Sequence, residues 1–275
     1  MEPVQAVILG VIQGLTEFLP VSSSGHLVLF QRLLGLEEPE LLFDVAVHTG
    51  TLAAVFAVFH RPIAQAAAGF FRLLAQALSP GKSVEWDADS RLAAVIILGS
   101  VPTAILGLSV QRFLLWSFAS VPFASSMLLL TGVILWLTRG HGFSGRTEAG
   151  LTAKDGLVVG IAQGLAVMPG ISRSGATIAT GIFMGIDRPA AARLSFLMSI
   201  PAILGALVLE GSGADPAVLA GEWPVLLLGG AVAAATGYAA LRLLLRLLQH
   251  GKFHLFAIYC WMAAAAGFTA HFLGA

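Results

Sequence analysis

The chain has 275 residues, 57% of them hydrophobic and 11% charged, with a mean hydropathy of +0.88. Soluble domains carry about 25% charged residues, so an ordinary soluble fold is excluded at the outset. Fifteen basic and fifteen acidic residues cancel to zero formal charge, which leaves no bulk field to attract nucleic acid, and the single Cys260 excludes an internal disulfide or a CxxC metal site and is expected to serve packing.

The first apolar segment, Val4–Leu36, has no basic start and contains Gln13 and Glu17, so it reads as a retained segment and not a cleaved signal peptide. Pro20 and a serine cluster break it midway. Irregular backbone at membrane depth is tolerated only where protein buries it or where it lines a wet cavity, so the break predicts a re-entrant helical hairpin. Three stretches then approach the about 20 apolar residues that span a bilayer, at Leu41–Phe59, Leu92–Ser109 and Ser120–Thr138. Residues 62–78 mix Arg72 and Gln76 with Phe70, Phe71 and Leu73, which predicts an amphipathic helix at the interface. A second broken segment, Lys154–Asp187, predicts another hairpin around Pro169 and Gly170, and three more spans follow at Arg193–Leu209, Trp223–Leu241 and Phe253–Phe272.

Basic residues orient this layout, because short cytoplasmic loops are rich in Lys and Arg. Arg61 to Arg91, Arg139 to Lys154, Arg188 with Arg193, and Arg242 to Lys252 fall on one side, while Arg32 and Arg112 share the other with Glu37, Glu38, Glu40, Asp215 and Glu222. Both termini are then expected outside, with the first hairpin entering from outside and the second from inside.

Sliding the chain on itself by 150 positions sets Gly10, Gln13, Gly14, Leu15, Ser22, Ser24, Gly25 and Gly35 against Gly160, Gln163, Gly164, Leu165, Ser172, Ser174, Gly175 and Gly185. Each half is a hairpin and three spans, an odd number, so the second copy must be inverted. The expected fold is an all-α integral membrane protein forming a single membrane domain over 1–275. It has an inverted-topology repeat of six full transmembrane helices plus two re-entrant helical hairpins. Repeat one covers 1–138, with its hairpin at 4–36 and the interfacial helix at 62–78; repeat two covers 154–275, with its hairpin at 154–187. Such folds bind their ligand near the midplane, between broken helices.

The first hairpin reads QGLTEFLPVSSSGHL, placing Gln13 and Glu17 one turn apart on one face. Beyond Pro20 come Ser22, Ser23 and Ser24, then Gly25 and His26. A carboxylate inside a membrane is costly and marks a functional site; the plain alternative is that Glu17 caps the following helix. The second hairpin reads QGLAVMPGISRSGAT. Free N–H groups, a helix dipole, hydroxyls and the Arg173 guanidinium there favour a phosphate oxygen; the plain alternative, a structural pair of Arg173 with Glu17, explains the two buried charges but not the surrounding hydroxyls and glycines. Ser23 as nucleophile, Glu17 or His26 handling its proton and Arg173 holding developing charge make a phosphoryl-transfer set, or the same groups serve direct attack by water. His26, three residues after Ser23, is expected on the same face. Asp44 and His48, four apart in one span, either border the site or pair internally. Cys/His metal spacing is absent.

These motifs resemble the bacterial undecaprenyl-diphosphate phosphatases, the bacitracin-resistance proteins. The (E/Q)xxxE element is Gln13 to Glu17, the PVSSxGH turn is Pro20 to His26, and the PGxSRSGxT element is Pro169 to Thr177; the FDVAVHTGTLAAV and Arg193 to Phe196 runs also fit. The resemblance implies a phosphoric anhydride hydrolase that converts undecaprenyl diphosphate to the monophosphate. It implies work at the outer face of the bacterial inner membrane, recycling the lipid carrier of peptidoglycan and giving bacitracin resistance. It makes Glu17, Ser23, His26 and Arg173 the catalytic set. Gln13, Ser22, Ser24, Gly25, Gly170, Ser172, Ser174 and Thr177 become substrate contacts. No cofactor is built in, and dependence on Mg²⁺ or Ca²⁺ is a family expectation that Gln13, in place of a second carboxylate, weakens. The expected partners are the polyprenyl lipid and the bilayer, with no nucleic acid; a homodimer is left open. The competing reading is a lipid-phosphate flippase or anion transporter on the same repeat, and a pure scaffold would not need charges at helix breaks.

Overall fold

The computed structural model describes residues 1–36, 41–79, 86–109, 120–141, 145–211 and 216–273. The acidic residues Glu37, Glu38, Glu40 and Asp215, and the basic residues Lys82 and Arg112, lie outside this range. Ten α-helices are seen among the described residues: α1 Pro3–Phe18, α2 Ser23–Leu33, α3 Leu41–Ala77, α4 Ala88–Ser109, α5 Val121–Leu137, α6 Ala153–Leu165, α7 Arg173–Phe183, α8 Arg188–Gly211, α9 Pro216–Gln249 and α10 Phe256–Leu273. Five of them are long and apolar enough to cross a membrane, within Leu42–Ala77, Ala88–Ser109, Arg188–Leu209, Glu222–Gln249 and Phe253–Leu273. The chain is thus a multi-pass membrane protein.

The span placed at Ser120–Thr138 is a helix of 17 residues, started by the Ser120 cap and Pro122 and stopped at Thr138; at 1.5 Å per residue it reaches about 26 Å, the short end of what crosses a bilayer core of about 30 Å. α3 is two helices joined across a kink at Phe59, where φ is −109° and ψ 23°, three residues before Pro62, so the piece at 62–78 is a second helix that follows the span. This second half is fastened to the start of α4. Arg72 bonds Asp87 at 2.7 Å and Asp89 at 2.5 Å, and a Cβ at Gly69 would lie 2.2 Å from the Asp89 carbonyl oxygen.

Helix starts follow their capping residues. Glu2 and Gln5 form a reciprocal box at α1, and Thr152 and Asp155 form one at α6. Arg146 closes on Asp155 through two parallel bonds of 2.8 and 2.7 Å and pairs its backbone with Ile186, stapling both ends of the second hairpin. The Asp155 hydrogen bonds hold the Arg146 guanidinium further above its ordinary range.

The hairpins are held by small residues. α1 packs on α9 and α6 on α4. A Cβ at Gly10 would lie 2.7 Å from the Gly229 carbonyl oxygen, and one at Gly160 would lie 2.1 Å from that of Gly99, so only glycine permits either approach. Each contact also carries a threonine: Thr236 Oγ1 is 3.4 Å from the Gly10 carbonyl oxygen and Thr103 Oγ1 is 2.9 Å from that of Gly160. The main core gathers around Phe18, Phe59 and Phe196, whose rings meet at 5.7 Å. It backs the first break and fixes where Glu17 stands.

Candidate active site

Each hairpin turn is made by a proline stop and a left-handed residue. Leu19 is extended, at φ −65° and ψ 143°, as the residue before Pro20 must be. Ser22, at φ +68°, is the single left-handed non-glycine residue among those described; such backbone costs energy and concentrates at functional sites. In the second turn Gly170 takes that part at φ +93°. The turns hold each other. The Gly170 N–H donates to Ser22 Oγ at 3.2 Å, Thr131 Oγ1 donates to the Gly170 carbonyl at 2.9 Å, and Cys260 Sγ, buried as expected, contacts the Pro20 carbonyl at 3.3 Å.

As a result α2 and α7 begin together, at Ser23 and Arg173, on one cavity of about 230 Å³. Helix starts carry unpaired N–H groups and positive dipole ends, which suit an anion. Glu17 is 8% exposed. Its Oε2 accepts from Ser23 Oγ at 2.8 Å and from Gln13 Nε2 at 3.1 Å, and its Oε1 accepts from Arg173 Nη2. These donors are side chains, so Glu17 is not the backbone cap of α2. Arg173 does pair with Glu17, as the structural alternative supposed, yet its Nη1 is buried with no partner.

Of the twelve residues proposed from sequence, Glu17, Ser22, Ser23, Ser24, Ser172 and Arg173 line the cavity. The other six do not. Gln13 is fully buried behind Glu17, Gly25 lies in the first turn of α2, and Gly170 shapes the second hairpin turn. Ser174 bonds back toward Ser172 at 3.3 Å, and Thr177 is tied to Ser195 at 2.5 Å and to the Arg173 carbonyl at 2.8 Å. His26 is the one residue of the expected catalytic set that does not line this cavity. Its Nδ1 lies 2.8 Å from the Ser22 carbonyl, its Nε2 2.5 Å from the Tyr259 hydroxyl, and its ring stacks on Tyr259 at 5.7 Å. The imidazole therefore faces a separate apolar cavity between α1, α2, α9 and α10. The Tyr259 hydroxyl and ring hold it on the side of α2 away from the Ser23 hydroxyl.

Residues that the sequence left undecided or unmarked complete the wall: Thr16, His48, Thr103 and Gln163, with Ala202 and Ala206 of α8. His48 Nε2 stands 4.0 Å from Glu17 Oε2. Gln163 had a signal, being the repeat image of Gln13; Thr103 had none. A divalent cation does not fit these side chains. Glu17 is the sole carboxylate lining the cavity among the described residues, both its oxygens are engaged, and one faces a guanidinium, whereas protein-held Mg²⁺ or Ca²⁺ draws on several free oxygen ligands.

The profile of the bacitracin resistance protein BacA family matches residues 6–266. The chain belongs to the BacA family. Among BacA-family relatives, the undecaprenyl-diphosphatase of Desulfatibacillum aliphaticivorans is 51% identical over 280 residues, covering 99% of this chain and 100% of the relative. That of Desulfosudis oleivorans is 49% identical over 95% of this chain and 96% of its own. That of Desulforapulum autotrophicum is 47% identical over 99% and 100%. The BacA match takes in both hairpin breaks and every residue lining the cavity.

Proposed function

We infer that this chain hydrolyses undecaprenyl diphosphate to undecaprenyl phosphate and inorganic phosphate, the reaction for which its relatives are named. One observation carries the mechanism. The Ser23 hydroxyl, the Glu17 carboxylate and the Arg173 guanidinium form one chain of contacts at two helix starts, with Arg173 Nη1 left unsatisfied beside the cavity. Terminal-phosphate oxygens would satisfy that N–H and the free amides of α2 and α7. Ser23 Oγ then attacks the terminal phosphorus and Glu17 Oε2 takes its proton. The bond to the bridging oxygen breaks, and undecaprenyl phosphate departs carrying that oxygen. Water next attacks the phosphoserine, releasing inorganic phosphate and returning the hydroxyl. Ala202, Ile203, Ala206 and Leu207 give the cavity an apolar wall for the first isoprene units.

The reading extends to architecture and placement. The paired packing of Gly10 with Gly229 and Gly160 with Gly99, each with its threonine, supports an inverted repeat of residues 1–138 and 154–275 within one membrane domain. The distribution of basic residues supports a bacterial inner-membrane protein whose site opens outward. Release of phosphate from a C55 isoprenyl diphosphate by purified protein in detergent tests the reaction; absence of release in the parent, with retention of lipid diphosphate binding, would favour a transporter. Labelling of a cysteine placed at position 82 only from the cytoplasmic side is the expected topology result, and labelling from outside would overturn it.

A further inference from the structure

His48 is the one histidine lining the cavity among the described residues. It comes from α3, a third element beside the two hairpins, and is a third exposed. Its Nδ1 lies 2.7 Å from the Asp44 backbone oxygen. A carbonyl only accepts, so Nδ1 carries a proton in either charge state and Nε2 is left toward Glu17. The charged groups it meets from other elements are Glu17 on α1 and Arg173 on α7. On its own helix the Asp44 carboxylate is engaged by Gln31 of α2 at 2.8 Å.

The proposed reaction sets Arg173 two tasks. At rest it compensates the buried Glu17; with substrate bound it must turn to phosphate oxygens. A carboxylate stripped of its partner inside a membrane takes up a proton, and a protonated Glu17 can no longer accept one from Ser23. Another donor has to arrive as Arg173 leaves.

We propose that His48 is that donor, a positioning residue whose Nε2–H donates a hydrogen bond to the Glu17 carboxylate as Arg173 turns from Oε1 to the phosphate, and so keeps Glu17 ionised to receive the Ser23 proton. The gap of 4.0 Å needs to close by about 1 Å to reach hydrogen-bond length. The second proton of the imidazolium is taken up from the buffer as hydronium and released to it when Arg173 swings back, so the exchange consumes nothing. The inference rests on the hydrolase reading and adds a requirement to it: what matters at position 48 is a donor, not a proton acceptor.

Glutamine and alanine separate these. Glutamine carries an amide N–H near the place of Nε2 but does not titrate. With C55 isoprenyl diphosphate in detergent, we expect H48A to lose about ten- to a hundredfold in kcat with little change in KM, the loss expected for one hydrogen bond to a charged group. The acidic limb of its kcat–pH profile should move to higher pH. H48Q should recover most of both. If H48A unfolds on a thermal melt, H48N takes its place, since its shorter amide reaches only the Nδ1 position; H48N low and H48Q high supports the relay. A parent-like kcat–pH profile in H48A, or H48Q as impaired as H48A or H48N, overturns it. A parent protein that releases no phosphate overturns the hydrolase reading itself, and the relay with it.

Discussion

Arg173→Lys isolates the guanidinium fork from its charge. Arg173 Nη2 is bonded to Glu17 while Nη1 is buried without a partner; lysine keeps one cation for Glu17 and removes the arm aimed at the phosphate. A hydrogen bond to a charged group is worth about 1.5–3 kcal/mol, and each 1.36 kcal/mol is tenfold in rate. Arg173→Lys should therefore lower kcat/KM about 10- to 150-fold, with the melting temperature in detergent close to the parent's. Arg173→Ala is the less informative change. It abandons a buried carboxylate and costs about 3–5 kcal/mol of stability, so lost turnover would be confounded with lost fold. The assay is phosphate release from C55 isoprenyl diphosphate over a range of substrate concentrations. A fall in kcat/KM of less than about threefold, under ~0.7 kcal/mol, would refute the clamp and leave Arg173 as a structural counterion to Glu17.

Ser23→Ala should abolish turnover and any phosphoserine trapped by rapid quench, while Ser24→Ala loses at most one phosphate hydrogen bond, about a ten- to hundredfold effect; more than a few per cent of activity in Ser23→Ala would shift the reaction to direct attack by water. Gly170→Ala adds a Cβ 2.2 Å from the Ala124 carbonyl oxygen at φ +93° and should lower the melting temperature markedly, the strain alone being about 1–3 kcal/mol. Asp87, whose carboxylate accepts from the Ser90 N–H at 2.7 Å, is held below the usual carboxylate range first by Ser90 and then by Arg72. Its contribution is present above its unfolded value and is lost as pH falls through the folded one, so the protection factors of amides in the first turn of α4, taken against the intrinsic exchange rate at each pH, should fall in acid and Asp87→Asn should remove that dependence.

The sequence exposed those parts of the site that depend on chain-local physics. Pro20 and Pro169, each followed by serines, read as helix stops, so Ser22 to Ser24 and Ser172 to Ser174 were visible at the starts of α2 and α7. The pairing of Glu17 with Arg173 across 156 positions became legible only because the 150-residue self-match aligned the two breaks. Spans were legible wherever hydropathy decides: α5 lies between its Ser120 and Thr138 caps, and the break at Phe59, three residues before Pro62, separates the two halves of α3.

What local spacing cannot give is the direction in which a side chain turns when two partners compete for it. His26 sits three residues from Ser23, and helical geometry alone puts both on one side. The competition is settled by Tyr259, 233 positions away, which offers a hydroxyl and a stacking face on the far side of α2. His48 shows the converse. Its local partner, the Asp44 carbonyl one turn back, fixes only Nδ1; that leaves Nε2 to whatever the fold brings near, and the fold brings Glu17 from another helix. The two histidines have the same local hydrogen bond, Nδ1 to the carbonyl four residues earlier, and differ only in what meets Nε2. A phenol stands there for one and the site carboxylate for the other. Which cavity each imidazole faces therefore resides wholly in the tertiary contact, and exchanging the local motifs would not exchange their surroundings.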